Sequence, residues 1–160
     1  MNGWDNFFVA TAGAAATLTG LIFVGVSLSL SKILSLPALP SRALESLMLL
    51  LTILVVSSLC LVPGQPEYLT GIEILGAGII IWAVSIRLDF GILRKSDEEF
   101  KSYAWLNFAL TQFAVVPYII SGVIILTHGA IGFYWLVPAF IISLIKALTD
   151  AWVLLVEINR

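Results

Sequence analysis

Residues 7–30 read FFVATAGAAATLTGLIFVGVSLSL, twenty-four residues with no charged side chain. A helix needs roughly 20 mainly apolar residues to cross a bilayer, so this run is predicted to be a transmembrane span. Four further apolar stretches follow at about 42–62, 69–93, 103–127 and 133–158. Together they fill most of the 160 residues and leave no room for a separate soluble domain. The expected fold is therefore all-α: a single polytopic bundle of five transmembrane helices covering residues 1–160.

Composition agrees. The chain is 60% hydrophobic and 11% charged, with a mean hydropathy of +1.06, whereas soluble domains carry about 25% charged residues. A net charge of −2 and the absence of a basic patch argue against a nucleic-acid partner. The lone Cys60 lies in an apolar run, where a thiol acts as a small hydrophobe. The N-terminus, MNGWDNFF, has neither the basic region nor the cleavage pattern of a secretory signal, so it is expected to be retained.

Breaks fall where helices end badly in lipid. Pro37 and Pro40 separate the first two stretches, with Ser41 a candidate N-cap, and Pro63, Gly64 and Pro66 separate the next two. The charged run RKSDEEFK at 94–101 follows the third, and residues 128–132 turn the fourth into the fifth. Pro117 and Pro138 fall within the last two spans, where neighbours can satisfy the freed carbonyls.

All eight Lys and Arg residues fall on one side of these stretches: Lys32, Arg42, Arg87, Arg94, Lys95, Lys101, Lys146 and Arg160. The positive-inside rule then predicts an outside N-terminus and a cytoplasmic C-terminus. Trp4, Tyr68, Tyr134 and Trp135 at the outer ends, with Tyr103 and Trp105 at an inner one, suit interfacial belts.

Helical periodicity sorts the polar residues into faces. The first span carries Ala12, Gly13, Ala16, Thr17 and Gly20, a small-residue pattern that lets helices approach closely inside the bundle or between subunits. Deeper in the membrane, Arg87, Asp89, Asn107, Thr111, Lys146 and Asp150 all fall roughly 5 to 17 Å below the inner surface. Lys146 and Asp150, four apart, can pair on one helix face. Charges at such depth cost about 2.5–3.5 kcal/mol each on insertion scales, so they are expected to face protein or water. They serve either as hydrogen-bonding glue or as an ion pathway. Glu73, Tyr118, Ser121 and His128 are the residues that would continue polarity outward. Glu73 and Glu45, near helix starts, also have a simpler reading as partners of the helix dipole.

A single histidine and a single cysteine supply no metal set, and no nucleophile has a base beside it, so no metal, cofactor or enzymatic activity is expected. The residues leave three functions open. One is a homo-oligomeric channel for ions or protons, or a small-solute pathway; another is a non-catalytic regulatory or assembly subunit that binds a membrane protein; the third is lipid or cofactor binding.

The run WDNFFVATAGAAATLTGLIFVGVSLSL (4–30) followed by LPSRALESLMLLLTILVVSSLCLVPGQP (39–66) resembles a group of small bacterial integral-membrane proteins. Some of these carry a label linking them to modulation of a membrane-bound AAA protease. The likeness covers about the first 66 residues and implies a bacterial cytoplasmic membrane. It rests on packing residues and transfers no functional residue.

Overall fold

A computed structural model describes residues 3–35, 39–95 and 101–158. Every regular element among them is helical: α1 (Asp5–Leu28), α2 (Leu30–Ser35), α3 (Leu39–Cys60), α4 (Glu67–Lys95), α5 (Lys101–His128), a 3-10 segment (Gly129–Trp135) and α6 (Leu136–Ile158). Pro37, the SDEE run and Arg160 lie outside the described residues.

Four helical stretches are long and apolar enough to cross a membrane, the fourth running through 56 residues from Lys101 to Val156. That stretch doubles back. Ser143 Oγ donates to the carbonyl of Ala114 at 3.4 Å, whereas a straight helix would hold residues 29 apart at about 43 Å. The reversal is made at Gly129, whose φ of 69° is left-handed, and by the 3-10 segment. Gly132 is pressed so tightly on α5 that an added Cβ would stand 2.6 Å from the backbone nitrogen of Ile125.

Several boundaries differ from the sequence reading. The first span ends early, because the backbone at Ser29 (φ −111°, ψ 15°) leaves the helical region and its N–H turns back to Val26 O. The short α2 comes next. Ser41 is not a cap but a residue inside α3, which starts at Leu39 with Pro40 in its first turn, a position where the missing N–H costs nothing. α4 begins at Glu67, where the carbonyl of Pro66 accepts from Leu69 N at 3.0 Å. α6 begins at Leu136 rather than Phe133, since residues 133–135 belong to the 3-10 segment.

α3 is the central element, packing on α1, α4 and α6. It runs against α1 so that Thr11 and Ser57 share a hydrogen bond of 2.9 Å. A second close approach joins α4 to α5: a Cβ on Gly122 would lie 2.7 Å from the Cα of Leu75, and one on Gly78 3.1 Å from the nitrogen of Ile119. Small residues thus bring two backbones into contact here.

The small-residue face of α1 does not do this. Gly13, Ala16, Thr17 and Gly20 are exposed and Ala12 is half-buried, and nothing stands within 4 Å of a Cβ built on Gly13 or Gly20. The expectation of packing inside the bundle is therefore corrected. Phe8 and Ala15 are the buried residues of α1 instead, Phe8 lying against the rings of Phe133 and Phe140. Outside, the bundle is apolar: Leu21, Phe23, Phe113 and Trp152 are all exposed. Surfaces of this kind sit in lipid, not water.

The two glycine environments give opposite expectations for one substitution. Gly122→Ala should cost about 1–3 kcal/mol by forcing α4 from α5. Gly13→Ala should be neutral or slightly stabilising, because alanine is the better helix former by about 1 kcal/mol. Unfolding titrations in mixed detergent micelles would compare them, and equal effects would contradict this assignment of the seam.

Candidate functional site

Four helices deliver polar side chains to one level of the bundle. α3 brings Glu45, α4 brings Asp89, α5 brings Asn107 and Thr111, and α6 brings Lys146 and Asp150, all of them buried. Each is fixed by helical register: Asn107 and Thr111, and again Lys146 and Asp150, are separated by four residues and so share a face.

The groups form a connected chain. Asn107 Nδ2 donates to Asp89 Oδ1 at 3.2 Å and to Glu45 Oε2 at 3.4 Å, its two protons serving two carboxylates. Thr111 Oγ1 lies 2.6 Å from Glu45 Oε1 and 3.0 Å from the carbonyl of Asn107; its one proton serves one of them. Lys146 Nζ stands 3.7 Å from Glu45 Oε2 and makes a close ion pair with Asp150. Hydrogen bonds and ion pairs therefore run without a gap from Asp89 on α4 to Asp150 on α6.

Five of the six residues expected in this layer are present, and one is not. Arg87 points out of the bundle and is exposed, its long stem well suited to carry the guanidinium toward an interface. In its place stands Glu45, which the sequence reading assigned to the helix dipole. That reading placed the helix start at Arg42. With α3 beginning at Leu39, Glu45 lies beyond the first turn, to which the dipole effect is confined. The available signal was the register of Glu45 with Leu49, Thr52 and Val56, all buried.

The outer residues do not converge. Tyr118 OH donates to Ser143 Oγ at 3.3 Å, and Ser121 Oγ donates to the carbonyl of Gly132 at 2.9 Å, so these two side chains hold α5 to α6 and to the 3-10 segment. Glu73 accepts from Gln65 Nε2 at 2.6 Å and fastens the α3–α4 loop. His128 is exposed beside Thr127 Oγ1, 2.7 Å from its Nδ1. Above Tyr118 the interior is aromatic. Phe140 packs 5.8 Å from Tyr118 and 5.8 Å from Phe7 in a parallel stack, while Trp4 meets Tyr134 edge-on at 4.9 Å.

Two buried oxygens in this region stand apart. Asp89 Oδ2 and Ser85 Oγ have no hydrogen-bond partner among the described residues. No group of three or more His, Cys, Asp and Glu among the described residues is placed to hold a metal ion. No protein-family model, curated protein or solved structure matches the chain.

Because breaking a buried ion pair strands the remaining charge, Lys146→Met should destabilise the protein by about 3–5 kcal/mol. Adding Glu45→Gln should recover part of the loss, giving a coupling of about 0.5–3 kcal/mol in a double-mutant cycle. Additive effects would show that the two groups act independently.

Proposed function

We propose that the protein is a five-span component of a bacterial cytoplasmic membrane that assembles as a homo-oligomer and passes protons or small cations, with the buried layer as its binding step. α5 and α6 each cross the bilayer in this reading, so the N-terminus lies outside and the C-terminus in the cytoplasm. The confinement of Lys and Arg to one side supports that orientation. Antiparallel packing of α5 and α6 supports the fifth crossing.

One observation carries the functional reading: Glu45, Asp89 and Asp150 are buried at one level with Lys146. Charges are expensive in hydrocarbon, and structural glue would be expected to balance them. Here carboxylates outnumber the ammonium, which favours a group that takes up and releases positive charge. Ser143 and Tyr118 extend polarity outward from the layer, and the rings around Phe140 close the route above them, the position of a gate.

A second reading, a non-catalytic regulatory or assembly subunit, is favoured by the exposed glycines of α1, Gly13 and Gly20, which have nothing within 4 Å of a built Cβ. Such a face suits either another copy of the chain or a different membrane protein. The likeness of residues 4–66 to proteins labelled as protease modulators points the same way.

Purified protein in liposomes should carry a proton or cation current that Glu45→Gln and Asp150→Asn reduce toward background. No conductance for protons or common cations, across pH and voltage, would overturn the pathway. Crosslinking in native membranes that captures a different membrane protein through α1, rather than another copy, would favour the second reading.

A further inference from the structure

We propose that Asp89 and Ser85 form a binding site for a single alkali-metal cation at the α4 edge of the buried layer. The inference rests on the reading that the layer carries cations, and it names the ion and its ligands. Asp89 is held in place by Asn107, which takes Oδ1 and leaves Oδ2 buried without a donor. An unpartnered carboxylate oxygen at 1% exposure is a costly arrangement in a low-dielectric interior.

Ser85 supplies an independent sign. Serine and threonine on membrane helices ordinarily return their proton to the carbonyl three or four residues back, and several here do so, Thr70 near the start of α4 being an exception besides Ser85. Thr17 donates to Gly13 O at 2.8 Å, Thr52 to Met48 O at 2.8 Å and Ser58 to Leu54 O at 2.8 Å. Ser85 is equally helical and almost wholly buried, yet its hydroxyl makes no such bond. It lies one turn before Asp89 on the same face of α4. A hydroxyl oxygen that keeps its lone pairs free, one turn from a free carboxylate oxygen, is a pair of hard donors.

The charge count gives the valence. Glu45, Asp89 and Asp150 are answered by Lys146 and by Arg42, which lies within electrostatic reach of Asp150. Both Glu45 and Lys146 also lie within reach of Asp89. With all three carboxylates ionised, one negative charge is left over, at the Asp89 end of the chain, farthest from the close Lys146–Asp150 pair. A monovalent ion balances it. Zinc prefers nitrogen and sulfur ligands.

The test is thermal unfolding of the full chain in detergent, with NaCl, LiCl or KCl replacing choline chloride at fixed pH and ionic strength. A ligand that binds only the folded state raises Tm with its concentration. At least one alkali cation should raise the Tm of the wild type by several degrees. Ser85→Ala, a small change that leaves the Asn107 and Lys146 bonds intact, should raise the half-saturating concentration about tenfold, and Asp89→Asn should abolish the response. No difference between alkali cations and choline overturns the site, as does a Tm that follows pH alone, which assigns the balancing charge to a proton. An unaltered response in Ser85→Ala removes that residue as a ligand and overturns the site as drawn. The wild-type series needs no variant to fold. Because binding is read in detergent, Tm shifts without flux in liposomes would count against the pathway and leave the cation site standing, while flux without Tm shifts would do the reverse.

Discussion

The ammonium of Lys146 is the centre on which the buried layer depends. It sits between Asp150 on its own helix and Glu45 on α3, so it ties the last helix to the middle of the bundle. In a low-dielectric interior such contacts are strong when complete and costly when broken. Asn107 extends the tie through Glu45 to Asp89. Four of the helices are thereby held to one register by polar groups, in an interior where hydrophobic contact alone gives helices little reason to prefer one another over lipid.

Shape supplies the second constraint. The glycines of the α4–α5 seam let those two backbones touch, and the same approach sets Asp89 beside Asn107. Toward the other end, Trp4, Phe7, Phe8, Phe133 and Phe140 lock the start of α1 to the 3-10 segment and α6. The molecule is polar and bonded at one level, aromatic and dry at another. The proposed pathway would run along that gradient, with the Phe140 rings beyond Tyr118.

Much of this was legible in residue order. Length and polarity of the apolar runs announced helices that suit a membrane, and the breaks at Pro63 to Pro66 and around Gly129 were placed to within a few residues. The spacing of Lys146 and Asp150, and the equal depth of Asp89, Asn107 and Thr111, pointed to the layer from residue numbers alone. Glu45 was hidden by a three-residue error in where α3 begins. Arg87 was wrongly included because depth alone does not say which way a side chain points.

Helix type and length and the reversal signals are properties of the chain itself, since each follows from local composition and spacing. Which face of each helix turns inward was decided only in three dimensions. On helices apolar nearly all round, periodicity carries weak directional information, and the choice falls to neighbours: Phe133 and Phe140 took Phe8 from α1, whose small residues stayed outside, while α4 and α5 used Gly78 and Gly122 to close on each other. The free oxygens of Asp89 and Ser85 have the same origin, because a donor that is missing can be recognised only after every surrounding helix has found its place.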